Sequence, residues 1–282
     1  MKKYFSLIKF SHTIFALPFA MIGFFLAVWH DGYPFSWIKF LLVVASMIFA
    51  RSAAMGFNRI VDAGFDGENP RTVNREIPTG LISKAAAISF VNICCIGFVT
   101  CSYFINSICF FLSPVALLIV LGYSYTKRFT ALSHFILGLG LSLAPIGAYL
   151  AVAGEFNLAP VLFGLAVLFW VGGFDIIYAL QDTAFDKSHN LFSLPSKWGK
   201  KTSLWISMIV HAGTIISLSF IGIKDNLGMW YWIGLSIFTL LLLYQHSIVK
   251  SNDLSRINIA FFTTNGIASI VFSAFVLIDL FQ

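Results

Sequence analysis

Long apolar segments dominate the sequence, and their lengths restrict the fold more than any other feature. A helix needs about 20 apolar residues to cross a bilayer. Closed barrels also satisfy every backbone polar group in lipid, but their strands alternate in polarity and are about half as long. The chain is therefore predicted to be all-α, an integral membrane bundle of nine transmembrane helices. The apolar runs are 12–30, 36–58, 85–104, 107–124, 133–154, 159–181, 202–222, 228–248 and 258–280.

The amount and the distribution of charge support the same class. Charged residues make up 11% of the chain, against about 25% in soluble domains. All Lys and Arg residues except Lys39 and Lys224 fall on the side of the predicted bundle that holds the N-terminus. The positive-inside rule then predicts a cytoplasmic N-terminus. Because topology accounts for the net charge of +6, we expect no nucleic-acid partner.

The whole chain, residues 1–282, is interpreted as a single transmembrane domain with no evident obligate protein partner. Two acidic segments lie four spans apart, which suggests two four-helix halves plus one helix. The four cysteines lie in apolar runs and are interpreted as structural thiols. His12 and His134 open the first and fifth runs, and we interpret both as interfacial or hydrogen-bonded rather than as bases. No P-loop, Rossmann fingerprint, nucleophile elbow or zinc signature is found.

The first acidic segment follows the second apolar run. Asn58, Asp62 and Asp66 recur every four residues, a step that places them on one face of a helix. Their oxygens suit Mg²⁺, which proteins usually hold with one or two carboxylates plus substrate phosphates. The alternative is an ordinary solvated helix end. Acidic groups at the C-terminal end of a membrane helix are costly and opposed by the helix dipole, which favours a metal-binding role.

Basic residues accompany this segment. Arg51 lies seven residues before Asn58 on the same predicted face, two turns deeper. Arg71 and Arg75 lie in the following loop, where guanidinium groups can clamp phosphate oxygens bidentately. Lys127, with its neighbour Arg128, would by itself indicate only a positive-inside anchor. Beside two acidic segments that need a phosphate to bridge them, a phosphate-binding role for this lysine is equally supported.

The second acidic segment ends the sixth apolar run. Asp175, Tyr178, Asp182 and Asp186 are spaced by three or four residues and share one stripe of a predicted helix. The same metal chemistry is predicted for the last two aspartates. Asp175 falls inside the apolar run, where a carboxylate needs a partner or a water-filled cavity. A buried salt bridge to an arginine such as Arg51 is the competing interpretation for that residue.

Two clusters of carboxylates with nearby Arg and Lys residues, at one surface of a membrane bundle, are suited to binding a lipid diphosphate. Metal ions there would neutralise the diphosphate as its C–O bond breaks. If the lipid is allylic, an electron-rich aromatic ring would attack the resulting carbocation while the apolar bundle excludes water. A secondary transporter is the alternative from another class, but it predicts acidic residues near the bilayer midplane. A lipid-headgroup phosphotransferase would carry its acidic residues in one motif.

The two acidic segments resemble the signature motifs of the UbiA family of intramembrane aromatic prenyltransferases. The matching residues are Asn58-x-x-x-Asp62-x-x-x-Asp66 and Asp175-x-x-Tyr178-Ala-x-Gln-Asp182-x-x-x-Asp186, with further likeness at residues 11–18, 69–75 and 127–128. This resemblance, which spans the chain, implies that Mg²⁺ assists transfer of a polyprenyl group from its diphosphate to an aromatic acceptor. It also implies a place in quinone biosynthesis and in the bacterial inner membrane, with the active site facing the cytoplasm.

The resemblance further implies roles for individual residues. The Mg²⁺–diphosphate site would be formed by Asn58, Asp62, Asp66, Asp182 and Asp186. The diphosphate would be held by Arg71, Arg75 and Lys127. Arg51 and Asp175 would lie nearer to the aromatic acceptor, with Arg51 pairing with a carboxylate, and Tyr178 would contact substrate.

One departure from the family pattern bears on the acceptor. Many relatives have Arg-Pro after the first motif loop, whereas this chain has Arg75-Glu76. This variant resembles a bacterial subgroup that is similar to 4-hydroxybenzoate prenyltransferases, some members of which act on a naphthoate in menaquinone synthesis. The expected acceptor is therefore of the 4-hydroxybenzoate type, with 1,4-dihydroxy-6-naphthoate as the alternative.

Overall fold

The computed structural model describes residues 2–8 and 15–282, and His12 lies outside these described residues. Their regular structure is helical. The α-helices are α1 Lys2–Leu7, α2 Leu17–Phe25, α3 Trp37–Val61, α4 Ala63–Glu68, α5 Lys84–Ile105, α6 Ser107–Thr126, α7 Ser133–Ala153, α8 Leu158–Ala179, α9 Thr183–Ser188, α10 Leu194–Lys224, α11 Met229–Ile248 and α12 Asn265–Phe281. Two π-helical segments, Leu26–His30 and Ile259–Thr264, and the 3₁₀ turn Leu180–Asp182 complete the set.

The predicted class, an all-α membrane bundle, is confirmed. Within the described residues, eight helices are long and apolar enough to cross a membrane, with α8 and α9 counted together as Leu158–Ser188. The first predicted run is described as a shorter apolar helix, Leu17–His30. Pro18 lies in the first turn of this helix, where its fixed φ and missing N–H do no harm.

The chain divides into two compact units, each with its own packing. The first unit comprises Met1–Thr13 and Trp37–Tyr125, and the second comprises Ile14–Ser36 and Thr126–Gln282. Among the described helices, three spans belong to the first unit and five spans plus the short apolar helix belong to the second. These units do not coincide with two four-helix halves, so the internal repeat and the single domain remain predictions.

The second unit is built around α8. Close approach is possible because small residues lie at the contacts: a Cβ on Gly138 of α7 would lie 2.4 Å from the main-chain oxygen of Leu168, and one on Gly173 of α8 would lie 2.2 Å from the His211 ring. Trp170 is fully buried and donates its indole N–H to Asn265 Oδ1 at 3.1 Å. Close packing therefore holds α8, which leads into the second acidic segment, in a defined position.

Candidate functional site

The first acidic segment lies at a joint between two helices rather than along one helix. α3 ends at Val61, Asp62 adopts φ −89° and ψ 3°, and α4 begins at the next residue. Backbone hydrogen bonds continue across the joint, from Asp62 N to Asn58 O (2.9 Å) and from Asp66 N to Asp62 O (2.8 Å). Asn58 Nδ2 also donates to Asp62 Oδ2 at 2.8 Å. The predicted spacing is preserved, but the continuous helix is not.

The second acidic segment repeats this joint. After α8 the chain tightens into the 3₁₀ turn, Asp182 adopts φ −93° and ψ 5°, and α9 begins at the next residue. The tighter turn changes the angular spacing of side chains, so the predicted uniform stripe from Asp175 is interrupted. Each joint leads into a six-residue helix that carries Phe-Asp at its third and fourth positions, at Asp66 and at Asp186.

One prediction about the first acidic segment was wrong for Asp66. The sequence argument placed this segment at the C-terminal end of a helix, where the dipole opposes negative charge. Asp62 does follow the last residue of α3, but Asp66 lies in the first turn of α4, where the dipole favours negative charge, and Asp186 lies likewise in the first turn of α9. Asp62 and Asp182 occupy the N-cap positions of these helices, yet neither side chain makes a capping hydrogen bond. Helix capping therefore does not account for these two aspartates.

Asp66 is 6% exposed and is bonded to one of the predicted phosphate-binding arginines. Arg75 Nη1 donates to both carboxylate oxygens at 2.7 Å, a charge-assisted contact. The Thr72 hydroxyl donates to the main-chain oxygen of Asp66 at 3.1 Å and holds the loop against the short helix. Arg71 is exposed, and its backbone N–H donates to Asn69 Oδ1 at 2.9 Å.

Two further arginines on α3 have buried side-chain atoms that lack partners. Within the described residues, the Nε atoms of Arg51 and Arg59 are buried and make no hydrogen bond. Arg59 is only 5% exposed, and its charged neighbours are Arg75, Asp66 and Glu76. Sequence reasoning passed over Arg59, although it follows Asn58 directly. A buried guanidinium nitrogen that makes no hydrogen bond is costly, because it has lost its contacts with water.

In the second unit, Asp186 is 2% exposed and is held by neutral groups. Its Oδ2 accepts from the Ser193 hydroxyl at 2.7 Å, and its main-chain oxygen accepts from Leu191 N at 2.8 Å. Its titratable neighbours are Asp182, Lys127 and His134, and the lysine ammonium attracts this carboxylate. The main-chain oxygen of Lys127 accepts from Phe192 N at 2.7 Å, which fixes this loop beside the motif.

Asp175 is bonded to a histidine of its own unit. His134 Nδ1 lies 2.7 Å from Asp175 Oδ2, and His134 Nε2 accepts from Leu194 N at 3.3 Å. His134 is completely buried, so its interpretation as a hydrogen-bonded histidine is confirmed. Tyr178 stacks on Phe261 with ring centroids 4.0 Å apart.

The donors of each motif fit Mg²⁺. In the part of the chain that the structure describes, no three His, Cys, Asp or Glu side chains are grouped so as to hold a metal by themselves. Each joint instead supplies two aspartates one turn apart, with hard oxygen donors. Since Mg²⁺ usually takes one or two carboxylates and completes its shell with phosphate oxygens and water, two carboxylates per motif are sufficient.

Comparison with known proteins decides the family. A model described as the UbiA prenyltransferase family matches residues 16–267. The chain belongs to the UbiA prenyltransferase family. It is therefore an enzyme, a prenyltransferase, as the motif resemblance implied.

Individual members of the family resemble the chain over most of its length. The 4-hydroxybenzoate octaprenyltransferase of Tolumonas auensis is 28% identical over 246 residues, covering 87% of this chain and 85% of that protein. The enzyme of the same name from Aliivibrio fischeri is 29% identical over 260 residues, with coverage of 86% and 84%.

Solved structures of UbiA homologues share the fold. The apo structure of a homologue from Aeropyrum pernix K1 matches with a TM-score of 0.86 and 31% identity, over 95% of this chain and 98% of that one. A homologue from Archaeoglobus fulgidus bound to GPP and Mg²⁺ matches with a TM-score of 0.71 and 21% identity, over 99% of each chain.

Proposed function

We propose that this UbiA-family enzyme transfers a polyprenyl group from polyprenyl diphosphate to a small aromatic acceptor of the 4-hydroxybenzoate type, with Mg²⁺, in quinone biosynthesis. The observation that carries the proposal is the repeated joint, which presents Asp62 with Asp66 and Asp182 with Asp186 in the same local geometry. The names of the curated relatives support the acceptor class. The Archaeoglobus homologue, which binds GPP and Mg²⁺, supports the donor and the metal.

The metal and the diphosphate are assigned to the two motifs. When bound, Mg²⁺ neutralises the diphosphate and so favours departure of this leaving group. In the first motif Asn58 orients Asp62 through their hydrogen bond, and Arg75 holds Asp66 in place. In the second motif Ser193 orients Asp186. The diphosphate oxygens are bound by Arg71, Arg75 and Lys127. In this role the Arg75 guanidinium contacts both the diphosphate and Asp66.

The aromatic acceptor is assigned to other residues. The unbonded Nε of Arg51 supports pairing of this guanidinium with the carboxylate of the acceptor. Asp175 accepts a hydrogen bond from the acceptor, and Tyr178 offers an aromatic ring that is already ordered by Phe261. The apolar helices keep water from the carbocation that forms as diphosphate leaves. The ring carbon that bonds to the prenyl group then loses its proton, and aromaticity returns.

The cellular setting follows from the charge distribution. We place the enzyme in the bacterial inner membrane with a cytoplasmic active site, because Lys39 and Lys224 alone of the basic residues fall on the other side in the predicted topology. Membrane lipid surrounds the protein, and no protein partner is assigned.

The test uses membranes that contain the protein, Mg²⁺ and a labelled polyprenyl diphosphate. 4-Hydroxybenzoate and 1,4-dihydroxy-6-naphthoate are offered in parallel, and the product is identified by mass. We expect a prenylated 4-hydroxybenzoate that disappears with EDTA. A prenylated naphthoate would move the enzyme to menaquinone synthesis, and no product from either acceptor with folded protein would contradict the proposal.

A further inference from the structure

The start of α10 supports the second motif at two points, directly at Asp186 and through His134 at Asp175. Ser193 is the N-cap residue of this helix and is completely buried. Its Oγ accepts from Ser196 N at 3.2 Å and lies 2.7 Å from Asp186 Oδ2. Because the backbone N–H uses an oxygen lone pair, the single hydroxyl proton is left for Asp186. The cap of the helix therefore fixes the direction of the bond to the carboxylate.

The next residue of the chain, Leu194, fixes the tautomer of His134. Leu194 N donates to His134 Nε2, so this nitrogen carries no proton. The other ring nitrogen, Nδ1, is then the donor to Asp175 Oδ2. Leu194 N–H is one of the helix-start donors that have no partner within the helix. His134 satisfies that donor and holds the carboxylate at the same time.

Ser193 and Leu194 are successive residues, and they support two carboxylates that are eleven positions apart in the sequence. Ser193 supports Asp186 directly, and Leu194 supports Asp175 through a histidine. The Asp175 side chain is 19% exposed, and only its Oδ2 is bonded within the described residues. Its Oδ1 is therefore left for a substrate group. Asp186 is almost completely buried, and the hydroxyl of Ser193 limits its rotation.

We infer that Ser193 and His134 are positioning residues: Ser193 aims Asp186 at the metal, and His134 aims Asp175 at the aromatic acceptor. This inference rests on the proposed function. The two supports act on different substrates, so their removal has different kinetic consequences. Loss of the Ser193 hydroxyl weakens metal binding, whereas loss of the His134 donor weakens use of the acceptor and leaves metal binding unchanged.

The first experiment measures Mn²⁺ binding by electron paramagnetic resonance, with inorganic pyrophosphate and purified full-length protein. Ser193→Gly removes the hydroxyl, and glycine is itself tolerated at the N-cap position. Ser193→Thr retains a hydroxyl. We expect the Kd for Mn²⁺ to rise about tenfold in the glycine variant, the scale of one lost hydrogen bond to a charged group, and to stay near wild type in the threonine variant. Ser83→Gly is the matched control, because Ser83 caps α5 by accepting from Ala86 N.

The second experiment measures turnover against acceptor concentration. His134→Leu should lower kcat/KM for the aromatic acceptor about tenfold with an unchanged Kd for Mn²⁺, and His134→Asn, which keeps an N–H donor, should recover part of this loss. Equal losses in Mn²⁺ binding and acceptor use for the Ser193 and His134 variants would reduce both residues to a structural role and overturn the inference.

The same binding assay separates failure of the inference from failure of the proposed function. If Asp186→Ala loses Mn²⁺ binding while Ser193→Gly binds normally, the positioning role of Ser193 is wrong and the metal assignment stands. If Asp182→Ala and Asp186→Ala both bind Mn²⁺ as wild type does, the metal assignment of the second motif is itself wrong.

Discussion

The two acidic motifs have similar local backbone geometry but differ in the side chain that holds their last aspartate. Asp66 is bonded through both oxygens to a cation, Arg75, whereas Asp186 is bonded to a neutral hydroxyl, Ser193. An arginine neutralises the carboxylate before any metal arrives, and a serine only orients it. The comparison shows that the same backbone geometry holds its last aspartate through a bonded cation in one motif and, in the other, through a hydroxyl, with Lys127 as a charged neighbour.

The same contrast extends to the loops that follow. In the first motif Glu76 is buried and accepts from Ser6 of α1, so the N-terminal helix fastens the loop. In the second motif the loop runs directly into α10, whose own cap makes the bond to Asp186. The first arrangement depends on a segment far away in sequence, and the second on residues only seven positions downstream.

The largest expected effect is a loss of turnover on substitution of Asp62 or Asp182, the aspartate at each joint. Asp62→Ala and Asp182→Ala should each lower kcat by roughly a thousandfold, because both aspartates are proposed metal ligands and loss of a ligand removes several kcal/mol of transition-state stabilisation. Both variants should keep the folded state, measured by thermal unfolding. Glu68→Ala, at an exposed acidic residue of α4, serves as the control. Full turnover in either joint variant would contradict the equivalence of the two motifs.

Arg75→Gln tests the difference between the motifs. The substitution leaves Asp66 buried without its cation, and we expect the free energy of unfolding to fall by about 2 kcal/mol. This is less than for a fully buried pair, since the Arg75 side chain is 21% exposed. Mg²⁺ with pyrophosphate should restore part of the lost thermal stability, because the ion replaces the guanidinium as counter-charge. The comparison fails if the unfolding temperature matches that of wild type.

Arg51→Ala tests the assignment of this arginine to the acceptor, with a smaller expected effect. The KM for a carboxylated acceptor should rise about tenfold while the KM for polyprenyl diphosphate stays unchanged, because one charge-assisted contact is lost. Arg59→Ala, measured in parallel, shows whether Arg59, the second arginine with an unbonded Nε, binds the same substrate. An effect of Arg51→Ala confined to the diphosphate would move Arg51 to the other substrate.

The smallest effect is expected at the loop contact of the first motif. Glu76→Gln keeps an oxygen that accepts from Ser6, so the free energy of unfolding should change by less than about 0.5 kcal/mol. Glu76→Ala removes the acceptor and should cost about 1 kcal/mol. Thermal unfolding of both variants, with Ser6→Ala as the partner control, measures the contact. Identical stability of all three variants would show that α1 does not fasten this loop through Glu76.

The sequence predicted the features that depend on local pattern. Apolar runs long enough to cross a bilayer determine a helical bundle, because backbone N–H and C=O groups in lipid can hydrogen-bond only to other backbone groups of the protein. The spacing of Asp62 and Asp66, and of Asp182 and Asp186, survives in the structure because backbone hydrogen bonds across each joint keep the step of four. Family membership also followed from the order of residues alone.

Only the tertiary structure decided how these side chains are held. A pattern of three or four residues describes one helix face and carries no information about a partner on another helix. The pairing of Asp175 with His134 joins positions 41 apart, and that of Asp66 with Arg75 depends on the fold of a loop. The break at Asp62 and the 3₁₀ turn that ends at Asp182 were missed for a related reason. Periodicity assumes a constant twist, and the chain changes its twist where packing and loop contacts require it.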